Sequence, residues 1–137
     1  MTRVVVNGTF DILHVGHIRL LQVAKSYPNA YVLVLLDTDR RIKQLKGPDR
    51  PVNNEYDRCT MMFALKYVDR VETFDSDEEL VSLIKNFDPD IMVKGGDYRD
   101  KPIIGAEYCK KIHFYDRFRD YSTTKTIQDI ANRGQRN

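Results

Sequence analysis

Two of the three histidines in this 137-residue chain, His14 and His17, stand three positions apart behind a glycine turn, in Asn7-Gly8-Thr9-Phe10-Asp11-Ile12-Leu13-His14-Val15-Gly16-His17. On the first turn of a helix that spacing puts both rings on one face. Gly8 lets the backbone come close to an anion, and the N–H groups of a turn such as Gly8-Thr9-Phe10 donate to anionic oxygens. Gly16, between the histidines, leaves room for a nucleotide beside the backbone. Three roles compete for the pair: metal ligands, acid–base catalysts and phosphate donors. A zinc pair needs a third ligand, and the remaining histidine, His113, lies in a strand pattern with no local partner. Phosphate donation fits the preceding glycine turn. The first expectation is therefore a polyphosphate site at a strand–turn–helix junction, with no metal held by the protein.

The elements that must position this site read as an alternation. Residues 3–6 form a short buried strand, and 17–26 a helix with Leu20, Leu21 and Ala24 on one face, broken at Pro28-Asn29. Residues 31–36 are a continuous apolar run, as in a strand covered on both faces. Residues 37–51 are polar and basic, a long loop or a short helix plus loop. Asn53 or Asn54 caps a helix to about Tyr67, with Met61, Met62 and Leu65 inward. Strands follow at 70–74, 90–93 and 111–115, with a helix at 77–86 stopped by Pro89. Ser122 opens a last helix to about Ala131. This pattern predicts a doubly wound, Rossmann-like parallel α/β sheet with helices on both faces. It makes residues 1–131 one domain and 132–137 a polar tail. Ligands of such sheets bind beyond the carboxyl ends of the strands, where the polar stretches after Val6, Leu36, Val93 and Tyr115 fall.

Composition narrows the partners. A net charge of +2 argues against a nucleic-acid partner. No apolar run approaches the roughly 20 residues that span a bilayer, and no signal peptide is visible, so a cytoplasmic protein without a membrane partner is expected. Cys59 and Cys109 lack metal spacing and read as reduced thiols.

Gly8-Thr9-Phe10-Asp11 with His14-Val15-Gly16-His17 resembles the signature of the cytidylyltransferase-like nucleotidyltransferases, whose HxGH element is the counterpart of the HIGH motif of class I aminoacyl-tRNA synthetases. Tyr121-Ser122-Thr123-Thr124-Lys125 resembles the ISTTK segment of the same family, so the two motifs span nearly the whole domain. The resemblance implies an enzyme that joins a nucleoside triphosphate to a phosphorylated acceptor and releases pyrophosphate. Such a reaction needs positioning and charge stabilisation more than a strong base. On this resemblance His14 and His17 donate to the triphosphate and the transition state. Backbone groups of Gly8, Thr9 and Phe10 hold phosphates, and Ser122, Thr123 and Thr124 face phosphate from a helix start. Mg²⁺ is expected on the triphosphate, bound mainly by phosphate and water. Lys46, in the basic loop with Lys43 and Arg50, is the expected closing phosphate contact. Asp11, Arg50 and Arg58 are assigned to the acceptor. Gly95 in Lys94-Gly95-Gly96-Asp97-Tyr98 permits approach of a flat base, and Asp97 can read its exocyclic amino group. A homodimer is expected, because related enzymes are commonly dimers and Met61, Met62 and Phe63 make an apolar helix face.

Two subfamilies divide the motifs. Leu45 to Asn53, Val93 to Tyr98 and Ile104-Gly105-Ala106-Glu107 resemble the adenylyltransferase domain of ADP-heptose synthases, which implies ATP and heptose 1-phosphate. Arg117, five residues before Ser122, resembles the arginine of the glycerol-3-phosphate cytidylyltransferases and leans toward CTP and a phosphorylated polyol. Asp120 departs from both, where each carries glycine. The longer matches favour the heptose enzyme, with the cytidylyltransferase second. A non-catalytic nucleotide-binding regulatory module on the same fold is the alternative of another class.

Overall fold

In the computed structural model residues 1–116 and 123–135 are described. Five parallel strands form one sheet in the order β3-β2-β1-β4-β5, with β1 at Thr2–Gly8, β2 at Ala30–Asp37, β3 at Arg70–Phe74, β4 at Ile91–Gly95 and β5 at Lys111–Tyr115. The chain runs outward from β1 to β2 and β3, then returns to place β4 on β1's other side. The switch point therefore lies between β1 and β4, where the doubly wound topology opens a crevice.

Alternation along the strands divides the core in two. Val4, Val6, Val32, Val34, Leu36 and Val93 face the helices α1 (Val15–Lys25) and α3 (Glu55–Phe63), packing on Leu21, Ala24 and Met62. Val5, Leu33, Leu35, Phe74 and Met92 face the other way, against Leu80 and Ile84 of α4 (Asp77–Phe87). Strands buried on both faces explain why β2 reads as an unbroken apolar run. Between β2 and α3 lies α2 (Asp39–Lys46), which settles the basic stretch as a short helix plus a loop. Side-chain oxygens of Thr38, Asn54 and Ser76 accept backbone N–H groups at the starts of α2, α3 and α4.

The structure departs from the sequence pattern in three places. The expected helix to Tyr67 ends at Phe63, where the chain turns to let Val68 into the core. The connection from β4 to β5 carries only single 3-10 turns at Gly96–Tyr98 and Ala106–Tyr108, and Ile103, Tyr108 and Cys109 of this segment cover the α4 face in place of a helix. The last helix, α5, spans Thr123–Gln135 and so passes Ala131. No described helix is long and apolar enough to cross a membrane.

Candidate active site

Beyond the carboxyl ends of the strands lies a cavity of about 500 Å³, lined on one side by Gly8, Thr9, Phe10, His14, Gly16 and His17. His14 is the N-cap of α1 and His17 lies in its first turn. Their rings stack, with centroids 3.8 Å apart and planes at 17°. The backbone N–H of His14 donates to His17 Nδ1 over 3.3 Å. A ring nitrogen that accepts carries no proton, so the neutral His17 ring bears its proton on Nε2 and is a donor there. The edge of the Phe10 ring meets His17, with centroids 4.9 Å apart. Phe10 has φ +49°, a left-handed conformation rare for a side chain of this size, and it is buried. The turn between β1 and α1 is thus held in a costly shape that sets the histidine pair.

What holds it is Asp11 and Arg58, and both differ from expectation. Asp11 has no exposed surface: its carboxylate accepts the backbone N–H groups of Val52 and Asn53, each at 2.8 Å, and the Asn53 side-chain amide donates to its carbonyl at 2.6 Å. Arg58 is also fully buried. It donates to the carbonyls of Asn53 (3.0 Å), Thr9 (3.1 Å) and Asp37 (2.8 Å), and it pairs with Asp39 at 2.9 Å. These two residues tie the ends of β1 and β2 to the loop before α3. With their hydrogen bonds made to backbone and, for Arg58, to Asp39, both have a structural role in place of the acceptor contact expected of them. Met62 packs in the core, as its inward placement anticipated, while Phe63 faces outward.

Arg50 stands between Asp11 and Thr124. Its guanidinium lies 3.6 Å from Asp11, its Nη1 donates to Thr124 Oγ1 at 3.4 Å, and its buried Nη2 has no hydrogen-bond partner. Lys46 and Thr124 both line the cavity. Desolvation, then the positive charge of Arg50, holds the Lys46 ammonium below its ordinary pKa, against the opposing pull of Asp37 and Asp11. An anion entering here would favour the charged ammonium. Gly95 and Asp97 also line the cavity, and a Cβ at Gly95 would stand 2.7 Å from the Asp97 carboxylate. Arg117 and Ser122 lie outside the described residues, as does the side chain of Thr123.

Lining residues not singled out from the sequence include Asn7, Asp37 and Lys94. Each is a polar residue at the end of an apolar strand in a parallel sheet, which is the signal that could have found them. Among the described residues no group of three or more His, Cys, Asp or Glu side chains is gathered to hold a metal ion.

The comparisons agree with this geometry. The chain is 48% identical over 126 residues to the bifunctional protein HldE of Sulfurimonas denitrificans, and 47% identical over 129 residues to that of Campylobacter fetus. The matches cover 90% and 94% of this chain but only 26% and 28% of those proteins, so it spans about a quarter of its curated relatives' length. In structure it is similar to the lipopolysaccharide core biosynthesis protein of Thermoplasma volcanium, with a TM-score of 0.69 at 25% identity over 87% of this chain and 99% of that one. A protein of unknown function from Archaeoglobus fulgidus shares the fold, with a TM-score of 0.56 at 17% identity. Residues 5–129 match the cytidylyltransferase-like family, with the stacked histidines and the glycine turn inside the match, and the chain belongs to that family of nucleotidyltransferases.

Proposed function

We propose that the chain transfers adenylate from ATP to heptose 1-phosphate, giving ADP-heptose and pyrophosphate. The carrying observation is the His14–His17 pair, stacked at the start of α1 with His17 Nε2 as a donor beside the switch point. A phosphate oxygen of the acceptor attacks the α-phosphorus in line, and the bond to the β-phosphate oxygen breaks. The acceptor phosphate is already an anion, so no base has to generate the nucleophile. His17 donates to the α-phosphoryl oxygens as their charge builds, and the turn Gly8-Thr9-Phe10 offers its N–H groups to phosphate. Lys46, Arg50 and Thr124 receive the departing pyrophosphate. Mg²⁺ carried by the nucleotide would spread phosphate charge, with phosphate and water as its ligands.

Heptose 1-phosphate with ATP is favoured over glycerol 3-phosphate with CTP by the segments 45–53, 93–98 and 104–107 and by the similarity to HldE proteins. Pyrophosphate release is the test, with ATP or CTP against heptose 1-phosphate and glycerol 3-phosphate. Turnover with ATP and the heptose is expected. Turnover with CTP and glycerol 3-phosphate alone would replace this reading by the cytidylyltransferase one.

A further inference from the structure

The cavity has a second half that the histidines do not reach. Asn7, Asp37 and Lys94 follow the buried Val5, Leu35 and Met92 by two residues on β1, β2 and β4. Alternate residues of a strand share a face, so these three polar side chains stand in a row on the α4 face, across the end of the sheet. All three line the cavity, together with Phe74, Leu80 and Ile103 from the α4-side core. His14, His17, Phe10 and Tyr115 belong to the opposite face.

Each member of the row asks for a particular partner. Asn7 Oδ1 is buried and has no hydrogen-bond partner. An orphaned acceptor costs free energy until a donor arrives. Asp37 is oriented by Arg41, whose Nε lies 3.3 Å from its carboxylate, whose Nη2 reaches Asp77 at 2.6 Å, and whose guanidinium covers the Phe74 ring. The carboxylate keeps acceptor capacity toward the cavity beyond that one bond. Lys94 holds its ammonium 4.4 Å from the Tyr98 ring centroid. Burial lowers its pKa more than Asp37 and Asp97 raise it, so it is a cation short of compensating charge. A ligand that satisfies all three must carry an anion at one end and several hydroxyl donors along its length. The anion belongs at β4, beside the switch point, and the hydroxyls toward β1 and β2.

We infer that the α4-side half of the cavity is the acceptor subsite, in which Lys94 holds the acceptor's phosphate and Asn7 Oδ1 and Asp37 accept hydrogen bonds from its sugar hydroxyls. The inference rests on the nucleotidyl-transfer reading above and deepens it. It gives the acceptor role to residues other than Asp11, Arg50 and Arg58. It also explains how the two phosphates meet: the nucleotide comes from the α1 face, the acceptor from the α4 face, and β1 and β4 are adjacent between them.

The test measures binding and turnover separately. Calorimetry of heptose 1-phosphate and of ATP, each alone, is run on the wild type, Lys94→Met and Asn7→Ala, with melting temperatures as the check on folding. Steady-state pyrophosphate release gives KM for each substrate. Lys94→Met should weaken acceptor binding and raise acceptor KM by about ten- to a hundredfold, the worth of one charge-assisted hydrogen bond. Asn7→Ala should raise it by about three- to tenfold. ATP affinity and KM should stay within about twofold, since uniform loss of one substrate's binding leaves the other's contacts intact. If the ATP constants move and the acceptor constants do not, this half holds the base and the inference falls. Unchanged constants for both, in folded variants, would also overturn it. If the wild type binds the sugar phosphate through Lys94 but releases no pyrophosphate, the nucleotidyl-transfer reading fails while the subsite stands.

Discussion

His17 illustrates how much one backbone hydrogen bond decides. Because His14 N–H occupies Nδ1, the proton on Nε2 is fixed without any second side chain. His17→Ala should therefore lower kcat by at least about a hundredfold, the usual worth of one transition-state donor. The melting temperature should stay near the wild type's, since the ring lines the cavity and is not part of the buried core. Near-normal kcat would remove the residue from the mechanism. Lys46 and Arg50 make a prediction about pH. In the proposed role Lys46 must be charged to hold the triphosphate, and its folded pKa lies below the ordinary value, so kcat/KM for the nucleotide should fall on the alkaline side earlier than an isolated lysine would allow. Arg50→Gln removes one cause of that depression and should move the alkaline limb to higher pH. Burial, the larger cause, stays, so the limb should not reach the ordinary lysine range. A limb that stays put or moves down would show that Lys46 is not the titrating group. The histidine pair was legible because its spacing and its glycine turn are local. Arg58 was not, because which way a helix residue faces depends on how α3 docks on β1 and β2. Arg58→Ala should cost about 3–5 kcal/mol by leaving Asp39 and three carbonyls without their donor. Denaturation should show that loss, and an acceptor KM raised with stability intact would restore the original assignment.

At the scale of elements, the junction between β1 and α1 depends on having no side chain at Gly8. A Cβ there would stand 3.1 Å from Phe10 Cε2. The Phe10 ring is itself wedged against His17, in a backbone conformation that little else would hold. Gly8→Ala should push the ring and with it His17, lowering kcat more than it lowers the melting temperature. A variant with wild-type kcat would mean that the ring can yield without moving the histidine. Nearly all of the α/β alternation was readable, because strands buried on both faces and helices with oxygen caps leave local marks: Thr38, Asn54 and Ser76 each accept at the helix start where their types suit it. The connection from β4 to β5 was not. Its residues Ile103, Tyr108 and Cys109 cover the α4 face without helical periodicity, so no pattern announced that cover.

For the whole molecule, what matters is that one cavity straddles the end of the sheet and draws its walls from both faces. On the proposed reading such a site would hold nucleotide and acceptor together, which predicts direct transfer within a ternary complex. The alternative is a nucleotidyl-enzyme intermediate, which needs a protein nucleophile at the α-phosphorus. His17 is a poor candidate, since its Nδ1 accepts from backbone and its Nε2 carries the proton. The two cysteines are poor candidates as well: burial pushes the Cys109 thiol up to about 11 and raises that of Cys59, and neither lines the cavity. Initial-rate lines with the two substrates should therefore intersect, and the enzyme without acceptor should not exchange labelled pyrophosphate into ATP. Parallel lines with rapid exchange in the absence of acceptor would require a covalent intermediate. They would also remove the reason for building the cavity from both faces of the sheet, because each substrate could then use the same half in turn.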